Sequence, residues 1–480
     1  MFCESLNGKC QFMRYGRYSL LVFVAILCFG NTASISPAAT DNTGFKAGAA
    51  QRDVTPPVGF TITHYDRKSI GVHDPLFARA LVIEDQMGSS VAIVCIDFIG
   101  AGHEACDQLR STIRRQLGID QTLINFSHSH SSVRLLPKRR LSDPQEPAAK
   151  WNNGVHQTIL EIVAQAKAAL APVTLKVSRA PAQVGFNRRK VMSDGSVTMK
   201  VNRTGPDIPW VNVLIAENKK SHKPVAVLFE AAAHPVIVPH TSGLTSADFP
   251  GAAVARIHEK MGDNFIAMFA QGCGGNINGF PLRSSHALAD KAGRELGDAV
   301  IKAIEKSVPI KANKLRLRSA STQLPSGKVP TMEIWQRWAD SSKNDPNKMA
   351  LLNKLKTLIE RGQAPPTLRF DVYSVMIGSE LCMVTMPANM FCQYELWIDD
   401  KAPFEHSMTF AFTNGCDGYF AVDKDYALGL KGGYEVNTQY LPNWGSWHTL
   451  CPEFAKHFGT PLIGTEEIIK NTVSSLWSHD

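Results

Sequence analysis

Val91-Ala92-Ile93-Val94-Cys95-Ile96-Asp97, then Glu104 to Leu117, then Thr122-Leu123-Ile124-Asn125-Phe126 decide the fold class. The first run is almost wholly apolar and ends on an acid, the pattern of a buried strand. The second puts Cys106, Leu109, Ile113 and Leu117 on one helical face. The third is a short strand. Strand, helix, strand in that order predicts an α/β architecture, mixed β-sheets flanked by helices.

Outward from this core the pattern recurs. Leu76 to Glu84, Thr174 to Arg179, Val211 to Ala216, Pro224 to Ala232 and Phe265 to Ala270 read as strands. So do Phe370 to Ile377, Glu380 to Met386 and Met408 to Thr413. Val155 to Leu170, Phe249 to Met261 and Ser285 to Ser307 read as helices. Polar residues dominate 320–367, where Met332 to Ala339 and Pro346 to Arg361 look helical, an insertion or lid over the main body. No internal repeat shows, and no break defines a second domain, so 39–480 is read as one unit.

The chain has 480 residues, 44% hydrophobic and 20% charged, with a formal net charge of +8. Residues 1–38 account for +2 of it, and the remaining +6 is too diffuse for a nucleic-acid surface. Arg14 and Arg17 precede the apolar run Leu20 to Phe29, and small residues follow, the layout of a secretory signal peptide over 1–38. A periplasmic or secreted protein is the expectation. Of ten cysteines, Cys3, Cys10 and Cys28 lie in that leader, and the other seven form no Cys-x-x-Cys pair, so a cysteine zinc site is not expected.

Chemistry concentrates in a few short stretches. Ser127-His128-Ser129-His130-Ser131-Ser132 follows the strand that ends at Phe126. Alternate residues of an extended chain point the same way, so His128 and His130 can face one site, and neutral imidazole is a common zinc ligand. His234-Pro235 closes another apolar strand, and Asp248 opens a helix, where N-capping is its plain role. Gln271-Gly272-Cys273-Gly274-Gly275-Asn276-Ile277-Asn278-Gly279 lets the backbone approach a ligand, yet no Gly-Lys-Ser/Thr makes it a phosphate loop. Asn187-Arg188-Arg189, Asn414 to Tyr419 and Gly433-Tyr434-Glu435 complete the set.

These stretches, taken in order with Val54-Thr55-Pro56-Pro57, Asp74 to Ala80, Cys95-Ile96-Asp97, Ser246-Ala247-Asp248 and Pro387-Ala388-Asn389, resemble the catalytic domain of neutral/alkaline ceramidases. The resemblance runs from about residue 45 to the end and is nearest to compact bacterial members. It implies a zinc amidase that cleaves N-acyl sphingosine. The family's zinc ligands fall on His128, His234, Asn389 and Tyr419, with Asn389 standing where the family has glutamate. Its arginine beside the catalytic serine falls on Arg188, and a substrate-contacting tyrosine on Tyr434. The serine's motif, Gly-Asp-x-Ser-Pro, is here Gly275-Asn276-Ile277-Asn278-Gly279, so Asn278 replaces the nucleophile and joins Tyr434 as a substrate contact.

The reading that follows is an exported zinc-dependent hydrolase of an amide bond, working through metal-activated water. His130 or Asp248 would act as base, and Arg188 would hold the oxyanion. Loss of a carboxylate at Asn389 weakens the metal site. The alternative is a non-catalytic descendant that binds a lipid or glycan in the same pocket. Either way the partner is a small-molecule or lipid substrate, with peripheral contact to a membrane surface.

Overall fold

The computed structural model describes residues 44–62, 67–138, 146–327, 330–362, 368–416, 418–437, 439–441, 445–447 and 461–478. The expected leader, 1–38, lies outside the described residues, as does Cys451.

The large sheet is built from β1 (Phe45–Asp53), β2 (Phe77–Glu84), β3 (Ser90–Ile96), β4 (Gln121–Phe126), β5 (Ala171–Pro181), β6 (Trp210–Asn218), β7 (Pro224–Ala231) and β8 (Ile266–Gln271). Across the sheet the order is β8-β7-β6-β5-β1-β2-β3-β4, with Val308–Pro309 pairing onto β5. All neighbours are antiparallel except the outermost pairs, β3 with β4 and β7 with β8. A second sheet contains β9 (Leu315–Leu324), β10 (Leu368–Ile377), β11 (Leu381–Thr385) and β12 (His406–Phe410), in that order, with only β11 and β12 parallel.

Helices α1 (His103–Leu117), α2 (Pro147–Ala168), α3 (Asp248–Met261) and α4 (His286–Glu305) cover one face of the large sheet through two apolar clusters. The small sheet packs on its other face: Leu81, Ile93, Leu214 and Leu228 meet Val375, Met383 and Phe410. Beyond the small sheet lie α7 (Cys392–Lys401) and α8 (Thr465–Ser474), which bury Tyr394, Ile398, Ile469 and Val473. The result is four layers: helices, large sheet, small sheet, helices. Such layering buries both faces of each sheet, which is why β3, β4 and β11 carry no polar alternation.

One unit occurs three times. An antiparallel pair is followed by a helix and a strand parallel to the second member: β2-β3-α1-β4, β6-β7-α3-β8 and β10-β11-α7-β12. The sequence shows no such repeat, because only the burial pattern recurs and not the residues. In open α/β sheets the carboxyl ends of parallel strands are where ligands bind. Here three such ends, after β4, after β7 and β8, and after β11 and β12, supply the candidate site.

The insertion contains α5 (Met332–Ser342) and α6 (Pro346–Glu360), close to the bounds read from sequence. The Trp335 indole donates to the Leu352 carbonyl at 2.6 Å and joins the two helices. Register places its root: Leu324 pairs with Leu368, five residues beyond the Tyr373–Thr385 pair, so it leaves the small sheet at the end where β11 delivers its chain to the site.

Candidate metal centre and its pocket

His128, His130 and His234 are buried together, with one ring nitrogen of each within 4.8 Å of the others. The approach differs from the extended alternation that the sequence suggested. His128 has φ 67°, a left-handed conformation that strains a non-glycine residue and turns its ring inward at the end of β4. The ring centroids of His128 and His130 lie 5.1 Å apart, and those of His128 and His234 4.9 Å.

Backbone carbonyls fix two of the rings. The Ile99 carbonyl lies 2.5 Å from His128 Nδ1, and the Gly274 carbonyl lies 2.6 Å from His234 Nδ1. A carbonyl only accepts, so each Nδ1 carries a proton, and in the neutral ring Nε2 presents a lone pair. Burial, with Arg188 and His128 next, holds His234 well below the usual histidine pKa, so it is a neutral ligand form.

Asn389 sharpens the picture. Its Nδ2 donates to the Gly418 carbonyl at 2.7 Å, which leaves Oδ1 facing His234 Nε2 at 3.0 Å. Two acceptors thus point at one another in a buried place. Flipping the amide would set Oδ1 against the Gly418 carbonyl instead. Lone pairs that converge in this way suit a cation. Asn389 and Tyr419 are register partners on adjacent short strands, Asn389–Met390 and Tyr419–Phe420, and the Tyr419 hydroxyl is 3.5 Å from His234 Nε2. The donor set of three imidazoles, an amide oxygen and a phenol can hold a metal ion.

Beside it lies a charged triplet. Arg188 Nε donates to Glu435 at 2.7 Å and its Nη1 to Asn278 Oδ1 at 2.8 Å, while Nη2 has no hydrogen-bond partner among the described residues. Arg189 donates to the other Glu435 oxygen at 2.7 Å. The guanidinium of Arg188 sits 5.4 Å from the Tyr419 ring, and Tyr434 meets Tyr419 edge-on at 5.4 Å. Burial opposes the Arg188 charge, and the Glu435 carboxylate bonded to Nε holds it. Burial pushes the Tyr419 phenol up, against the pull of Arg188. From Arg188 and Asn278 a pocket opens outward between Phe186, Met199, Lys200, Val201, Phe280 and Leu282.

His128, His130, His234, Asn389, Tyr419, Arg188, Asn278 and Tyr434 are thus joined by contact. His130, expected as a base, stands as the third imidazole of the cluster. Asp248 ties the start of α3 to the loop after His234: its two oxygens accept from the Val238 and Phe249 amides at 2.9 and 2.7 Å. Asn276 also faces structure, bonding the Cys392 amide and Gln393. Sequence reasoning quoted Glu435 without giving it a role; it pairs with Arg188 and Arg189. Its signal was present in Gly433-Tyr434-Glu435, but only contact reveals an acid shared by two arginines.

No family model matches the chain. A neutral ceramidase of Drosophila pseudoobscura pseudoobscura is 29% identical over 122 residues, 24% of this chain, and the match spans only 17% of that protein. Among solved structures, neutral ceramidase from Pseudomonas aeruginosa matches with a TM-score of 0.62 at 17% identity, covering 81% of this chain and 70% of the other. A ceramidase complexed with C2 matches with a TM-score of 0.61 at 15% identity, covering 82% and 71%. The chain has the fold of these neutral ceramidases, and one stretch of its sequence is similar to one of them.

Proposed function

We propose that this chain is an exported, zinc-dependent hydrolase that cleaves the amide bond of an N-acyl lipid. The observation that carries the reading is the meeting of His234 Nε2 and Asn389 Oδ1, two oriented acceptors at 3.0 Å beside two further imidazoles. A zinc ion held by His128, His130, His234 and Tyr419, with Asn389, would supply a Lewis acid for the amide carbonyl and lower the pKa of a water.

The chain's own groups then divide the remaining work. Asn278 has no ionisable hydroxyl, so the attack is by water and not by a side chain. With its Oδ1 engaged by Arg188, its Nδ2 hydrogens are left as donors to whatever enters the pocket. Arg188 Nη2 is a second donor, held in place by Glu435 and suited to charge that develops on the carbonyl oxygen. The pocket is small as it stands, but its walls of Phe186, Val201, Phe280 and Leu282 are apolar, the surface character that an acyl or alkyl chain would require. Tyr434, packed on Tyr419, bounds the same place.

Asn278 at the position of the family's serine also favours a second reading, retention of lipid binding without turnover. Metal analysis of the purified protein, followed by fatty-acid release from short-chain ceramides, separates the two. Stoichiometric zinc with release that His234→Ala abolishes supports the hydrolase. Zinc-free protein that binds the lipid without release supports the binding protein.

A further inference from the structure

The geometry points to the mouth of this pocket as a docking face for an anionic lipid bilayer. The inference rests on the lipid-pocket reading above. Two segments that leave the site form the rim. One is the hairpin Arg189–Val191 with Val197–Met199, which starts at the residue after Arg188. The other is the loop that leaves the strand Ile277–Gly279, which carries Asn278.

Together they expose six large apolar side chains: Val191, Met192, Met199, Val201, Phe280 and Leu282, between 37% and 61% exposed. Four of them line the pocket itself, beside Arg188, Lys200 and Asn278, so apolar side chains reach from the exposed rim into the pocket. Contiguous exposed apolar surface at a site entrance marks something that covers it.

Charge identifies the cover. Lys190, Lys200, Arg203 and Arg283 are exposed among these side chains. Arg203 lies over the rings of both Phe186 and Phe280, at 4.0 and 5.1 Å, so a cation is fixed on the pocket's aromatic lip. The acid on the hairpin, Asp194, is at its turn and engaged by Ser196. A second copy would set these cations against their own kind. A bilayer with anionic headgroups offers both the apolar interior and the opposite charge. Docked there, a lipid could pass from the membrane into the pocket without crossing water.

The test is cosedimentation with vesicles of phosphatidylcholine alone and of phosphatidylcholine with phosphatidylserine. Anionic vesicles should bind at least tenfold tighter, with the advantage shrinking at high salt, given roughly fivefold per basic side chain near the surface. Lys190→Glu, and separately Val191→Asp with Met192→Asp, should each weaken vesicle binding about tenfold, with zinc affinity and melting temperature unchanged. None of these three lines the pocket. Vesicle affinity that the variants leave intact, equal affinity for both vesicles, or no affinity would overturn the proposal, as would dimers that the Val191 and Met192 changes dissolve. The readout needs neither metal nor turnover, so failure of the hydrolase reading would show separately.

Discussion

The side chain of Asn125 closes on the backbone of Gln271, 146 positions away, accepting its N–H at 2.8 Å and donating to its carbonyl at 3.3 Å. These residues stand on β4 and β8, the two edges of the large sheet, so one amide holds a rolled sheet edge to edge at the site. The same Nδ2 reaches the Ala411 carbonyl at 2.7 Å beyond β12. Three strand ends that deliver site loops therefore meet on one buried side chain.

Asn125→Asp should be severely destabilising. It keeps the shape but sets a carboxylate against the Gln271 and Ala411 carbonyls with no donor from its own side chain. An uncompensated buried charge costs about 3–5 kcal/mol. Urea unfolding at pH 7 measures it, and a loss below about 1 kcal/mol would mean that the edges hold without this amide.

Glu435→Gln should cost a similar amount, because Glu435 faces both Arg188 and Arg189 at 2.7 Å in a buried setting. Arg189 keeps Asp425 at 3.0 Å, whereas Arg188 keeps no acid. Leaving that charge unpaired is worth about 3–5 kcal/mol. Denaturant unfolding of the variant beside Arg189→Gln tests the asymmetry. Equal losses would mean that Arg188 does not depend on Glu435.

Sequence carried the frame and the chemistry unequally. The strands and helices of the first unit were legible because burial on both faces leaves unbroken apolar runs such as Val91–Ile96. β9 was not, since in Leu315–Leu324 the apolar alternation is confined to Leu315-Arg316-Leu317-Arg318 and the rest is mostly small and polar, on a half-covered edge strand. α7 was hidden too, its buried Tyr394 and Glu395 giving no clear apolar stripe. At the site, His128, His234, Asn389 and Tyr419 were named through the resemblance, and no spacing links β4 to residue 419. An acid at a helix start, such as Asp248, reads equally as cap or base, and its contacts with the Val238 and Phe249 amides are visible only in the folded chain.

A pH dependence of stability should arise at a buried acid pair that is not part of the histidine cluster. Glu230 and Glu395 lie buried against Gly272, where a Cβ would come within 2.1 Å of one carboxyl and 2.9 Å of the other. Burial pushes both acids up, and Glu230 adds to the rise of Glu395. Asn212 and Arg179 oppose the rise at Glu230 while Asp399 reinforces it, and the Cys273 amide opposes it at Glu395. A carboxyl whose folded pKa lies above its unfolded value binds its proton more tightly when folded. Its stability is full below about 4.5 and falls as pH rises toward about 7, where Glu230 stands. The slope approaches about 1.4 kcal/mol per pH unit for one group. Glu230→Gln should flatten that fall, making the variant relatively more stable at pH 8 than at pH 5. Unfolding curves that keep the same pH slope in variant and wild type would refute the assignment.

The last prediction turns on Asn389. Its Oδ1 already faces His234 Nε2 at 3.0 Å, held there by the Gly418 carbonyl behind it. Asn389→Glu would exchange a neutral amide oxygen for an anionic carboxylate at a position the chain has already aimed at the histidines. A unit charge about 4 Å from another is worth around 4 kcal/mol at an effective dielectric near 20, before desolvation is counted. Arg188 adds less positive field than its charge alone suggests, because Glu435 is bonded to it, so the gain must come chiefly from the new ligand oxygen. Against it stand the longer side chain and loss of the Gly418 hydrogen bond. The net expectation is zinc binding tightened at least about tenfold, or roughly 1.4 kcal/mol. Calorimetric titration of both forms with zinc decides it, with His234→Ala as the site-null control. If both bind zinc equally while His234→Ala does not bind it, the metal sits among the three imidazoles and Asn389 lies outside its reach.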